Sequence, residues 1–531
     1  MKKTLLQDWT GDWPEIRSTQ PLPTGEGVID QAGFNTIEVD KLFDETNYAV
    51  TTVGQGVLYR SLTQPLNSLE QIKDKQETVT EIQENPKLKE SLTQILGNAA
   101  ETEKNFHLLL FGEFLGSFGT AREEHQIEGF GYLQYIRGVQ FMLNLVSQFD
   151  ELGQPKSIYL KGIFEKINAF TDSCSYALMN GPVYISEQGI QSKPERIGNF
   201  SPAVFFRPTL FKPILIVSIA AIIWLFMSMF PMDKFDFSAM SVPVTAMLFI
   251  PLLLIAYIPT VGGFDRDNAI MPLRNIFRQS EEVAEALDAL GQLDELFSFI
   301  KYADSYGSEM IFPELITAKK HKLKLVDAKN PVLGKANPDY IGNDISLDRN
   351  HLIFITGPNS GGKTAFCKTV TQIQLLAQVG CFVPASSAKL TVADRIYYQA
   401  PEISHLADGE GRFGTELKRT KNIFLSCTAN SLVVLDELSE GTTFEEKMAT
   451  SINVLDGFYE KGCSTLLITH NHQLVDHYID KNIGSAMQVE FSGEAPTYKL
   501  IKGISRISHA DVIAQKIGFA KADIEKHLKN S

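Results

Sequence analysis

Cysteine is scarce in this chain: there are five in 531 residues. Cys174, Cys367, Cys381, Cys427 and Cys463 are odd in number, far apart and without metal-ligand spacing, which argues against a disulfide framework and fits a reducing compartment. Basic residues are in deficit as well, 49 Lys and Arg against 63 Asp and Glu, for a formal charge of −14. Such acidity weakens a general polyanion-binding role while leaving room for a local basic groove. The opening Met1-Lys-Lys-Thr-Leu-Leu-Gln-Asp8 has no apolar core of the kind a signal peptide needs. What the chain does have is length and apolar content, 44%, enough for several folded domains and too much for bulk disorder.

Residues 1–32, with Trp9, Trp13 and several prolines and glycines, read as an irregular lead-in. From Leu58 the text becomes helical. Leu69, Ile72, Val79 and Ile82 place one apolar stripe on a helix that ends near Asn85-Pro86, since proline disfavours helix in the residue before it. Amphipathic segments continue through Phe130–Phe149, so 33–210 reads as the first half of an all-α domain, and 263–318 as its second half through Leu273, Ile276, Phe277, Leu287, Leu290 and Phe297. Between them, Ile214–Phe230 and Val242–Val261 carry no charge. At 1.5 Å per residue each run is just long enough to cross a hydrocarbon core, so 211–262 is expected to be a two-helix transmembrane hairpin. Arg207 and Lys212 before it and Arg266, Arg274 and Arg278 after it place both long ends on the cytoplasmic side of a membrane. The competing reading is a buried hairpin in a large core.

A basic stretch, Lys319-Lys-His-Lys-Leu-Lys324, marks the boundary of an alternating strand and helix region, 319–531, as expected of an α/β nucleotide-binding domain. The apolar run Leu352–Ile355 ends in Gly357-Pro-Asn-Ser-Gly-Gly-Lys-Thr364, which fits the phosphate-loop pattern in full. Glycines in such a loop turn backbone N–H groups toward phosphate oxygens, Lys363 reaches the β and γ phosphates, and Thr364 offers a hydroxyl to Mg²⁺. Ser431-Leu-Val-Val-Leu-Asp-Glu-Leu438 is a buried strand that delivers two carboxylates to its end. Asp436 is placed to bind Mg²⁺ directly or through water, and Glu437 to polarise an attacking water. Cys463–His470 is a further apolar strand whose terminal histidine is placed to contact the γ-phosphate or that water.

These residues carry a resemblance. Gly357–Thr364, Gly380-Cys-Phe-Val-Pro-Ala385, Asp394-Arg-Ile396, Leu435-Asp-Glu-Leu438 with Glu440-Gly-Thr-Thr443, and Thr469-His470 are similar, in order and spacing, to the ATPase domain of the MutS mismatch-repair family. Leu58–Leu66 and Leu293–Ser298 resemble the start and return of its helical core, and Tyr498-Lys-Leu with Gly503, Ser505, Ser508, His509 and Ala510 resembles its segment after the last ATPase strand. The resemblance implies an α/β P-loop (ABC-type) ATPase domain joined to an all-α lever/core domain, here interrupted by the hairpin. It implies a homodimer in which ATP and Mg²⁺ are shared between subunits, and possible binding of mismatched or branched DNA in repair. By position, Gly357, Pro358, Asn359, Ser360, Gly361, Gly362, Lys363 and Thr364 would hold the phosphates, Thr364 and Asp436 the magnesium, and Glu437 and His470 the hydrolytic chemistry. Tyr340 falls where the family stacks an aromatic on adenine, though a core role suits a tyrosine equally.

Departures from the family pattern bear on function. Asp408–Glu416 lies where the family carries its trans signature loop, but Gly411-Arg412 replaces the usual Ser-Thr pair. Arg412 either supplies a charge-assisted contact to the partner's γ-phosphate or marks a weakened trans contact. Because the core match begins early in the chain, no upstream mismatch-reading domain is expected. The apolar hairpin occupies the interval where the family inserts its DNA clamp. Two functions are therefore expected to compete: an ATPase whose levers grip DNA, and a membrane-anchored, nucleotide-switched scaffold without DNA binding.

Overall fold

The structure is a computed structural model. It describes residues 4–9, 14–116, 129–196, 202–213, 215–218, 257, 259–337, 339–358, 361–401, 411–438, 444–493, 495–506, 517–519, 523–525 and 528. The chain divides into two compact units. One gathers 1–18, 49–57 and 81–294, the other 19–48, 58–80 and 295–531. The chain passes from one to the other five times, three of them within helices, Thr52–Thr63, Leu69–Glu84 and Glu281–Ser305.

The first unit is mainly helical. Its long helix Pro86–Phe111 opens with the Asn85 side chain accepting from the Leu88 N–H and proline at the first turn. It packs on Tyr132–Asp150, and Phe106 and Phe141 meet with ring centroids 5.7 Å apart. Gly138 permits that approach: a Cβ there would lie 2.7 Å from the Asn105 carbonyl oxygen. Two buried carboxylates secure the start of helix Thr52–Thr63. Asp294 accepts from the N–H and hydroxyl of Thr51, and Glu103 accepts from both groups of Thr52.

Two expectations are corrected in this unit. The region 33–210 is not all-α, because Gly189–Gln191, Val183–Ser186 and Ala203–Phe206 form an antiparallel sheet in that order. Four-residue strands joined by tight turns are too short to stand out from helical text by periodicity. The transmembrane hairpin over 211–262 is corrected as well, and with it the membrane partner and the membrane localisation. Among the described residues no helix is long and apolar enough to cross a membrane. Within that interval only 211–213, 215–218, 257 and 259–262 are described, so most of the expected hairpin lies outside the described residues. The inference had rested on uncharged runs of marginal length, a property that a spanning helix shares with a helix buried in protein.

The second unit is built on a six-stranded sheet. In chain order its elements are β1 (Leu352–Thr356), α1 (Lys363–Val379), β2 (Ile396–Gln399), α2 (Gly411–Ser426), β3 (Leu432–Asp436), α3 (Phe444–Lys461), β4 (Ser464–Ile468), α4 (His472–Ile479), β5 (Ser485–Ser492) and β6 (Ala495–Lys502). The sheet order is β2-β3-β4-β1-β5-β6, parallel except for the β5-β6 hairpin. β1, β3 and β4 are buried at every position, which explains their continuous apolar text. A second sheet includes Leu323–Ala328 and Asn343–Ser346. α1 is buried along most of its length despite its polar text. The amide of Gln372 donates to the Ile37 carbonyl, that of Gln374 to Thr391, and that of Gln378 to Leu66 and Ala393.

Candidate functional site: a phosphate loop beside a carboxylate pair

Parallel strands bring their C-terminal ends to one edge of the sheet, where β1, β3 and β4 deliver the site. β1 runs into Gly357, whose φ of 130° lies in the region that only glycine occupies freely. A Cβ on Gly361 would lie 2.6 Å from Val489 Cγ2, so the loop passes too close to β5 for any side chain there. Gly362, at φ 82°, turns the chain into α1. Pro358 is buried and its carbonyl accepts from the Gly361 N–H. Asn359 and Ser360 lie outside the described residues, as does the side chain of Arg412.

Lys363 opens α1 and is 2% exposed. Its ammonium donates to the Gly357 carbonyl at 2.6 Å and lies 3.5 Å from His470 Nε2. Burial pushes its pKa below the usual lysine range, while Glu437 and Asp436 pull the other way. A cation held in a nearly dry loop, with a backbone carbonyl as a direct partner, is suited to an anionic ligand. The Thr364 hydroxyl donates to Asp436 Oδ2 at 3.0 Å. This convergence of a hydroxyl and a carboxylate fits Mg²⁺, which takes one or two hard protein oxygens and fills its remaining octahedral positions with phosphate and water.

Glu437 follows Asp436 in the left-handed region, at φ 60°, an unusual conformation for a residue with a side chain. Its N–H donates to the Ile468 carbonyl at the end of β4. Its Oε1 lies 3.6 Å from His470 Nε2, and its Oε2 lies 3.9 Å from Lys447 Nζ on α3. Lys363, Thr364, Asp436, Glu437 and His470 thus come together from three separate stretches of chain.

Tyr340 is half-buried, and burial raises its pKa. A second aromatic stands nearer the loop. Tyr498 on β6 is 55% exposed at φ 59°, and a Cβ on Gly362 would lie 3.4 Å from its ring. Asn343 holds the Tyr498 backbone, donating to its carbonyl and accepting from the Leu500 N–H. Sequence reasoning placed Tyr498 only within a matching stretch and gave no role to Tyr498, Asn343 or Lys447. The β5-β6 hairpin brings Tyr498 to the site, the strand Asn343–Ser346 brings Asn343 and the first turn of α3 brings Lys447, and nothing in local sequence spacing signals that.

A glycine-rich loop closing a buried parallel strand, with a carboxylate pair at the end of a neighbouring strand, is the arrangement of the P-loop class of α/β fold. Residues 353–527 match the family model described as MutS domain V. Among curated proteins, the chain is 30% identical over 267 residues to the DNA mismatch repair protein MutS of Prochlorococcus marinus (strain MIT 9301), covering 48% of this chain and 29% of that protein. It is 33% identical over 239 residues to the protein of the same name from Acetivibrio thermocellus, covering 43% and 27%. To Endonuclease MutS2 of Geobacillus sp. (strain WCH70) it is 30% identical over 255 residues, covering 47% and 32%. Each match thus spans about a third or less of the relative's own length.

Proposed function

We propose that the second unit binds ATP with Mg²⁺ and hydrolyses it in a site completed by a second copy of this chain, and that the cycle moves the helices leading into the first unit. One observation carries this reading: Lys363, Thr364, Asp436, Glu437 and His470 converge at the C-terminal edge of the sheet. In it, N–H groups of 357–364 and the Lys363 ammonium hold the phosphates, and Thr364 and Asp436 hold Mg²⁺. Bound magnesium would neutralise charge between the β and γ phosphates. Glu437 orients and deprotonates the water, His470 senses the γ-phosphate, and Arg412 reaches the partner's nucleotide. Tyr340 and Tyr498 flank the base, Tyr498 offering the exposed ring face.

Calorimetric titration with magnesium ATP tests the binding half. Lys363→Met is expected to weaken binding by about a hundredfold, the effect of losing a buried charge-assisted contact worth roughly 3 kcal/mol. Wild-type affinity in that variant would contradict the phosphate-site assignment.

Action on mismatched or branched DNA is the reading that the relatives' names favour. A nucleotide-switched regulator that binds no DNA is favoured by the −14 formal charge and by the partial span of the matches. A DNA titration at several salt concentrations separates them: phosphate contacts make affinity fall steeply with salt, and absence of binding at low salt selects the regulator.

A further inference from the structure

We propose that Lys447 is a positioning residue for hydrolysis, fixing the Glu437 carboxylate in the orientation that activates water; this rests on the reading of Glu437 as the group that deprotonates the attacking water. Glu437 is approached by a cationic or ionisable nitrogen at each oxygen, His470 Nε2 at 3.6 Å from Oε1 and Lys447 Nζ at 3.9 Å from Oε2. These nitrogens lie at charge-pair rather than hydrogen-bond distance, one toward each oxygen, so their fields favour one orientation of the carboxylate. The φ of 60° at Glu437 sets where the side chain leaves the backbone but leaves its own torsions free. His470 is half-exposed and also lies 3.5 Å from Lys363 Nζ, so it is shared between two charged groups. Lys447 is 23% exposed beside a carboxylate that is 11% exposed, an environment in which a charge pair is only partly screened by water.

The placement of Lys447 in α3 supports the same role. The first turn of that helix carries Glu445 and Glu446, which suit the positive end of the helix dipole. A lysine following them works against that dipole, and Glu437 is the counter-charge that offsets it. The contact that Lys447 makes at the site is with Glu437, and it is through that carboxylate that it acts on the reaction. A lysine that merely filled surface would have no preference between arginine and methionine as a replacement.

Steady-state ATP hydrolysis by the full-length protein tests the proposal, using wild type, Lys447→Met, Lys447→Arg, Glu437→Gln and the Lys447→Met/Glu437→Gln double variant. Lys447→Met should lower kcat about tenfold, the scale of a misoriented catalytic group, with KM for ATP and the melting temperature unchanged. Lys447→Arg should recover most of the loss. In the Glu437→Gln background Lys447→Met should have no further effect, because the group it positions is gone. Unchanged or raised kcat in Lys447→Met, no recovery with arginine, or an undiminished effect in the Glu437→Gln background would each overturn the proposal. A wild-type protein that binds ATP and turns none over would instead overturn the reading of Glu437 itself, and this inference with it.

Discussion

The phosphate loop illustrates how far single residues decide the site. Gly361 has no room for a methyl group against Val489, so Gly361→Ala is expected to cost about 1–3 kcal/mol in overpacking and to displace the loop. ATP affinity should fall, and Val489→Ala in the same chain should restore part of it; denaturant unfolding and ATP titration of the single and double variants check both. This part of the site was legible because its residues are contiguous: eight consecutive positions carry the loop, and two adjacent carboxylates end one strand. Glu437 and Lys363 owe their chemistry to local geometry, which spacing encodes. Lys447 and Tyr498 reach the site by tertiary approach, and the trans role expected of Arg412 calls for a second chain, so sequence alone left the first two unassigned and the third with two readings.

Among elements, the helices carry information that periodicity expresses only in part. The stripe of Leu69, Ile72, Val79 and Ile82 correctly marks helix Leu69–Glu84, yet it does not show that Lys75 on the same helix is buried. Lys75 pairs with Glu295 at 2.8 Å, both almost fully enclosed, and its ammonium lies 5.2 Å from the Phe299 ring centroid. Gly380, just past the end of α1, abuts Lys75: a Cβ there would lie 3.1 Å from the Lys75 Cβ. Lys75→Met strands a buried carboxylate and should cost about 3–5 kcal/mol, whereas Lys75→Met with Glu295→Leu should recover most of that loss. Chemical denaturation of the three proteins measures it.

Glu103 makes a pH prediction at the same scale. Burial raises its pKa to about 7, against hydrogen bonds from Thr52 and Val53 that lower it, with the Asp294 charge adding to the rise. Between pH 4.5 and 7 the folded protein holds a proton there that the unfolded chain has released, so this group's contribution to stability falls as pH rises across that window. Glu103→Gln should therefore flatten stability against pH between those limits relative to wild type. Parallel curves for the two proteins would contradict the assignment.

For the whole molecule, the alternation of strands and helices after 319 announced an α/β nucleotide-binding domain, and the family match over 353–527 agrees with it. The contact division is less linear than the sequence boundaries: 19–48, 58–80 and 295–318 group with the six-stranded sheet, and Ile37 and Leu66, from the first two of these, accept hydrogen bonds from the glutamines of α1. Long-range hydrogen bonds of this kind leave no periodic trace. The transmembrane expectation failed for the reason given by its premise: freedom from charge over some twenty residues is a necessary property of a spanning helix and not a sufficient one. The short sheet at 183–206 was hidden by the amphipathic helices around it.

The central claim is that this constellation both binds ATP and turns it over through Glu437. Its most direct test is a single-turnover measurement with magnesium ATP on wild type and Glu437→Gln at matched occupancy. The account predicts equal binding and a loss of hydrolysis of about a hundredfold or more in the variant, the scale of removing a general base. Hydrolysis at the wild-type rate with glutamine at position 437 would contradict it.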